Sequence, residues 1–419
     1  MCVSAPRRAM MCPSPAPLVV TRLPAGGGGG GTVAKQKVVE VVPKHLKADV
    51  AIIGGGVIGC LTAYYATLRG LKPVIIESDG IASGASGMAA GILTPYTGSG
   101  ASELLALSKA SLKLHVDLVK TLPAETGVDY GYDSRPHLRC VFTEDGAVRL
   151  KAWQKARAKE GFKSEWLSPL QAKSLSAWLT GDILGALLSE IEPTVDAYRF
   201  TLAAFTAAEK RGAKLVTGRA SGLLSKVRGK ATGVRLVDGS EISAPETVIA
   251  TGPWAGEAGA WLGYPVPVKP QKGQMLYLDL AHGGQPKPQV SLGGFDTGGI
   301  LLPKKLTETI VGATREDAGF DRAPTGAARK DLITKVSRFS GRIMDASIVR
   351  QTACLRPMPA DGKPYVGRAP GWDGVWLGVG HWSEGIHFGP LTGRYIADMV
   401  VDGKSKYDLS AVASSRISA

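Results

Sequence analysis

The sequence predicts an α/β protein in which a parallel-sheet domain and an antiparallel-sheet domain are interleaved along the chain. Two observations carry this. Residues 48–77 run in the order apolar strand, glycine turn, helix, strand, carboxylate. Residues 131–143 and 263–306 are strand-like apolar runs broken by Gly and Pro, the pattern of an antiparallel sheet.

Residues 48–53 are largely apolar and suit a buried parallel strand. Gly54, Gly56 and Gly59 follow with GxGxxG spacing. The first supplies a tight turn, the second lets a pyrophosphate approach the backbone, and the third lets a helix pack closely on the strand. That helix spans 58–69, with N-terminal amides and a dipole that favour phosphates, and Gly70 ends it. A second strand, 73–77, closes on Glu77, 23 residues after Gly54, where a carboxylate accepts hydrogen bonds from a ribose diol. GxGxxG alone is a weak signal. The full succession specifies a Rossmann-type dinucleotide site.

Further along, 101–122 and 198–210 read as helices and 234–243 as a hairpin of the dinucleotide domain. Near the C-terminus, 375–379 is an apolar strand, 380–385 a glycine-bounded turn and 391–401 an amphipathic helix. That turn and the helix start present amides and a positive dipole end. The expected division is 46–135, 195–262 and 345–405 for the dinucleotide domain and 136–194 and 263–344 for the other, with 406–419 as a tail.

With 419 residues the chain can bury a large core. It has no apolar run of about 18 residues, so no membrane-spanning helix is expected. The net charge is +14, of which residues 1–45 hold +5, with six basic residues against Glu40. The remaining charge is diffuse and no basic run interleaves aromatics, which argues against a nucleic-acid partner. Residues 1–45 are acid-free before Glu40, rich in Ala, Pro and Gly, and contain six consecutive glycines. This composition predicts an organellar transit peptide, with the chloroplast ahead of the mitochondrion. Cys2 and Cys12 fall in that segment, and Cys60, Cys140 and Cys354 are widely spaced without a CxxC pair. Neither a disulfide framework nor a metal site is expected.

After Glu77 comes "SDGIASGASGMAAGILTP", small residues that let backbone amides crowd a second part of the cofactor. A nicotinamide dehydrogenase would run into another βα unit here. The pattern resembles the D-amino-acid oxidase superfamily of FAD enzymes, in particular the branch holding glycine oxidase, sarcosine oxidase and the flavin domain of tRNA-uridine-modifying enzymes. The likeness runs from about 48 to 403 through "ETVIATGPWAG", "KPQKGQML", "GILLPKKLTETIVGATRE", "CLRPMPADGKPYVGRAP" and "GVWLGVGHWSEGIHFGPLTGRYIADMVVDG", in the family's order.

The resemblance implies a glutathione-reductase-like FAD-binding domain interleaved with an antiparallel substrate domain. It implies FAD contacts at Gly54, Gly56, Val57, Ile58, Gly59, Glu77 and Ser78, and at Ala85, Ser86, Ala90, Gly91 and Ile92 in the second loop. In the C-terminal turn it implies His381, Trp382, Ser383, Glu384, Gly385, Ile386 and His387, where the helix terminus faces the flavin pyrimidine ring and stabilises the reduced cofactor. Sarcosine oxidases attach FAD through a cysteine in the neighbourhood of Cys354. The "LRP" that follows resembles non-covalent glycine oxidase, so non-covalent FAD is expected.

Arg356 matches the family arginine that pairs with a substrate carboxylate, for which a guanidinium is geometrically suited. The other reading is a structural arginine bridging two strands. Two departures leave the substrate open. Ile300 stands where glycine oxidase has a tyrosine, and Ser383 stands where it has an arginine. Glu384 could hold a substrate ammonium or face solvent at the helix start. The resemblance implies oxidation of an amine or amino acid by hydride transfer from the α-carbon to flavin N5, giving an imine that hydrolyses. Oxygen or another carrier would accept the electrons, and no acid–base residue is required. Two alternatives remain at this level. A tRNA-modifying flavoenzyme is suggested by the "GASG" loop, and a flavin-bearing scaffold without turnover by the missing clamps.

Overall fold

The computed structural model describes residues 45–94, 102–280 and 290–417. The expected transit segment therefore lies outside the described residues, His45 excepted.

At the centre is a six-stranded sheet in the order Tyr365–Arg368, Val375–Val379, Glu246–Ile249, Val50–Ile53, Pro73–Glu77, Lys214–Thr217. All its pairs are parallel except that of the edge strand Tyr365–Arg368. Every residue of Val50–Ile53 is buried, because both sheet faces are covered. Val50, Ile52 and Ile75 face a helical layer that includes Leu61, Ala203 and Leu391. Ala51, Ile53, Val74 and Ile76 face Val234, Leu236 and Ile242. Those last three belong to a four-stranded sheet, in the order His45–Lys47, Glu241–Ser243, Gly233–Leu236, Ala220–Leu224. The hairpin expected at 234–243 is present. It roofs the parallel sheet and does not extend it.

The helix Val57–Leu68 is buried from Val57 to Thr67, so its apolar character all round is a consequence of its central position. Against it lies the C-terminal helix Gly385–Asp402, which begins six residues earlier than the amphipathic pattern indicated. The reason is Pro390. A proline inside a helix has no N–H for the carbonyl four residues back, and here Ile386 O accepts from His115 Nε2 at 3.0 Å instead. Ser111 Oγ donates to the next carbonyl, His387 O, at 2.6 Å. A neighbouring helix, Ser102–Thr126, thus completes the first turn of the C-terminal one.

A third sheet of eight strands runs Ser347–Pro359, Val268–Asp279, Thr309–Gly312, Ile300–Leu302, Ser291–Gly294, Asp133–Val141, Gly185–Thr194, Ser164–Leu167. It is antiparallel apart from the pair Ser291–Gly294 with Asp133–Val141. Two expected boundaries shift. Asp133–Val141 belongs wholly to this sheet. Ser347–Pro359, placed from sequence in the dinucleotide domain, is the partner of Val268–Asp279 along its length. The chain returns to the parallel sheet only after Pro359, through a short turn into Tyr365–Arg368, and no change of composition marks the crossing. Among the described residues no helix is long and apolar enough to cross a membrane.

Gly393 fixes how closely the two central helices approach. A Cβ there would lie 2.7 Å from Leu61 C and 2.8 Å from Thr62 N, which are backbone atoms that cannot rotate away. Glycine to alanine inside a helix ordinarily gains about 1 kcal/mol. Gly393→Ala should instead lose about 1–3 kcal/mol through overpacking, read as a lowered midpoint in denaturant unfolding. An unchanged or raised midpoint would show that the contact is not tight.

Candidate functional site

The glycine turn is required twice over. Gly54 has φ +115°, and a Cβ on it would also sit 2.4 Å from Ala250 O. On Gly59 a Cβ would sit 2.0 Å from Gly54 O, which locks the helix start to the turn. Gly56 differs. Its position is the helix N-cap, without a side-chain hydrogen bond, and a Cβ would meet only Ser86 Oγ, at 3.1 Å. The Val57 amide donates to that hydroxyl at 2.9 Å. Glu77 does more than expected. Oε2 accepts from Gly55 N at 2.7 Å and Oε1 from Asp79 N at 2.8 Å, so the carboxylate braces the turn and retains lone pairs for a ribose.

The second loop is anchored to the end of the eight-stranded sheet. Gly91 has φ +71°, its carbonyl accepts from Val195 N at 2.8 Å, and Ile92 bridges Thr194. Lys304, only 4% exposed, donates from Nζ to Ala90 O at 2.9 Å and to Val195 O at 2.6 Å. Burial lowers its pKa to about 7. Sequence reasoning missed this lysine because the residue type is almost always on the surface.

The C-terminal turn carries two buried histidines. His381 Nε2 lies 2.9 Å from Thr392 Oγ1 and His387 Nε2 lies 2.7 Å from Ser108 Oγ. Burial lowers both to about 3, so both rings are neutral; each engages its Nε2 within the protein, while His387 Nδ1 is buried without a partner among the described residues. Trp382 has φ +47°, and its Nε1 donates to Gln271 Oε1 at 2.8 Å. The helix that follows has no side-chain cap and no acid in its first turn, which leaves its amides open.

These parts line one cavity of about 690 Å³. Every residue expected to contact FAD lines it except Gly59, whose place is under the turn, where its lack of a side chain serves packing. FAD fits this donor set. Two helix starts without side-chain caps open on the cavity, Gly56 leaves its wall bare, and Thr251 Oγ1 on the lining is buried without a partner.

The eight-stranded sheet supplies the other wall, with Gly273, Met275, Ile300, Arg315, Cys354 and Arg356. Arg356 lies opposite Gln271 in the strand ladder and donates from Nη1 to Thr314 O at 3.0 Å. A Cβ on Gly273 would lie 2.3 Å from that Nη1, so glycine makes room for the guanidinium. Burial lowers its pKa, yet a guanidinium stays charged. It forms no ion pair with any described residue. Burial pushes the Cys354 thiol up, against the thiolate that covalent attachment needs. Ser383 is exposed. Glu384 is partly buried, and desolvation raises its carboxyl to about 7, so its charge changes near neutral pH within the cavity lining.

A dinucleotide turn, a second small-residue loop and an open helix start around one cavity define a flavin-dependent oxidoreductase. Residues 49–399 match the family described as FAD dependent oxidoreductase, DAO, and the chain belongs to that family; FAD is its cofactor. It is 30% identical over 372 residues to a glycine oxidase of Geobacillus kaustophilus, covering 88% of this chain and 97% of that one. It is also 30% identical to a bifunctional ThiO/ThiG protein of Synechocystis, covering 85% of this chain and 52% of that one. The crystal structure of the Geobacillus kaustophilus glycine oxidase superposes with a TM-score of 0.83 at 28% identity, over 88% of this chain and 99% of that one.

Gly56→Val separates binding from folding. The free protein has little at this position for the new side chain to strike, whereas a pyrophosphate on the helix start would meet it. The variant should purify folded by circular dichroism and nearly colourless. Full flavin content would move the phosphate site elsewhere.

Proposed function

We propose that this flavoenzyme oxidises a small amino acid at its α-carbon–nitrogen bond. The observation that carries the reading is Arg356, a half-buried guanidinium on the lining of the FAD cavity that forms no ion pair with any described residue. Bound FAD supplies the hydride acceptor for the substrate α C–H. Arg356 takes the carboxylate in a charge-assisted pair, Met275 and Ile300 offer an apolar wall to the rest of the molecule, and the Glu384 carboxylate is the cavity group suited to an ammonium or its proton. Orientation accounts for most of the work asked of the protein. The imine that results hydrolyses in water.

The Geobacillus kaustophilus relative, in sequence and in structure, is an oxidase by name, which supports oxygen as electron acceptor and turnover over a purely structural flavin. The same name, and an arginine placed for a carboxylate, favour a small acid over a tRNA substrate.

Losing a hydrogen bond to a buried charged group costs about 1.5–3 kcal/mol, roughly ten- to a hundred-fold in affinity. Arg356→Ala should therefore retain FAD while slowing flavin reduction by an amino acid by about that factor relative to the matched amine without a carboxylate. Stopped-flow reduction with both substrates measures the ratio. Equal losses would make Arg356 structural.

We infer further that residues 1–45 direct the protein to an organelle, with the chloroplast first. The basic, acid-poor composition supports this, as does a cyanobacterial relative. A fluorescent reporter fused after residue 45 should enter plastids in a green cell. A wholly cytosolic signal would refute the assignment.

A further inference from the structure

A second guanidinium stands on the same wall. Arg315 lines the cavity and follows Thr314, whose carbonyl holds Arg356 at 3.0 Å. Its guanidinium carbon lies 5.1 Å from the centre of the Trp382 ring, within cation–π range. That ring is itself fixed, since Trp382 Nε1 donates to Gln271 Oε1 at 2.8 Å. Gln271 is the direct cross-strand neighbour of Arg356, and residues directly opposite in an antiparallel ladder point to one face. Gln271, Trp382, Arg315 and Arg356 therefore form one continuous surface. No described residue forms an ion pair with Arg315 or with Arg356.

The arrangement is specific because other cations near the cavity have different commitments. Arg322 lies 3.9 Å from Asp79 and leans on Trp254. Lys304 is bonded to loop carbonyls. The nearest acid in sequence, Glu316, has its carboxylate engaged by Gln274 Nε2 at 3.0 and 3.1 Å and by the Thr314 hydroxyl. Arg315 also adds to the positive field at Arg356 and pushes its pKa down. Two neighbouring cations repel, and one carboxylate can form a bidentate pair with only one of them.

We propose that Arg315 on its Trp382 platform is a second anion subsite, so that the preferred substrate is a short amino or imino acid carrying two carboxylates. One carboxylate pairs with the half-buried Arg356 and sets the α-carbon. The other reaches the more exposed Arg315 toward the mouth. This rests on the amino-acid reading above and narrows it from small acids in general to diacids. The oxidation is unchanged: the α C–H still gives its hydride to FAD and the nitrogen still ends in an imine.

The test uses the flavin-loaded enzyme and non-reacting acids of matched length, propionate against malonate and butyrate against succinate, read by perturbation of the flavin visible band. In the unmodified protein each diacid should bind about ten-fold tighter than its monoacid. Arg315→Ala should bring that ratio close to one, and Arg315→Lys should restore part of it. A ratio near one before mutation, or a ratio that survives Arg315→Ala, overturns the second subsite alone, provided monoacid binding still depends on Arg356. If no acid perturbs the flavin and Arg356→Ala changes nothing, the amino-acid reading falls and the subsite falls with it. Because Arg315 is exposed, its loss threatens no core. A melting curve of the loaded variant within a degree or two of the parent confirms that.

Discussion

The contact between the helices Val57–Leu68 and Gly385–Asp402 governs where the rest of the site can stand. It is made largely without side chains. Gly393 brings the C-terminal helix against the backbone of Leu61 and Thr62, and Gly389 leaves room for Leu61 and Val57. Gly59 meanwhile locks the first helix to its own turn. Helices that share such a seam deliver both N-termini to one cavity; neither N-cap residue supplies a side-chain cap, although the Val57 amide of the first donates to Ser86 Oγ. The cost appears at Pro390, which removes a helical hydrogen bond in the first turn. His115 and Ser111 make good the carbonyls there, each a contribution of about 1 kcal/mol by ordinary measure and more if the alternative is a buried unmet acceptor. With its pKa lowered to about 4 by burial, His115 stays neutral, and a carbonyl partner requires the tautomer with the proton on Nε2.

Charge is divided between the two walls. The parallel-sheet side presents backbone amides, helix ends and the Glu77 carboxylate to the cavity, and the two histidines in that region are neutral. On the opposite wall, the eight-stranded sheet and the loop after its strand Thr309–Gly312 present Arg356 and Arg315. Glu384 is another carboxylate on that side. Because its carboxyl is raised to about 7, the protein holds it protonated under conditions in which a solvated glutamate would be ionised. Its contribution to folding is thus favourable below the ordinary glutamate pKa and is lost as pH rises toward 7. At this one position the cavity lining gives up negative charge readily.

How much of this was legible in sequence follows the range of the interactions involved. The strand Pro73–Glu77, the strand Val375–Val379 and the glycine turn were readable because each is decided within a few residues, by apolar runs, φ requirements and the spacing to a carboxylate. Arg356 was reached only through family resemblance, and that could not choose between a binding and a bridging role. Ser347–Pro359 was misassigned because sheet membership depends on a partner some eighty residues away in Val268–Asp279, and strand pairing leaves no local mark. The Arg315–Trp382 stack was invisible for the same reason, and Lys304 both for it and because a lysine is expected on the surface. Their partners, Ala90, Val195 and Gln271, are distant in sequence. Gly389 and Gly393 do carry a signal in their four-residue spacing on one helix face, readable once the helix is known to start before Pro390.

Whether Arg356 binds or bridges turns on its unused capacity. A bridging arginine spends its donors on strand carbonyls and a carboxylate. Arg356 gives one to Thr314 O, a guanidinium has five, and the nearby Glu316 is already engaged by Gln274 and Thr314. A desolvated charge left without a partner costs several kcal/mol, and folding alone would favour an apolar residue in its place. The surrounding structure nevertheless makes room for it, with Gly273 bare beneath the guanidinium and Thr314 holding it in place. On the proposed reading, a site that bears this cost in the free protein would recover it when a substrate anion arrives, and the electrostatic strain at Arg356 would itself be a source of affinity.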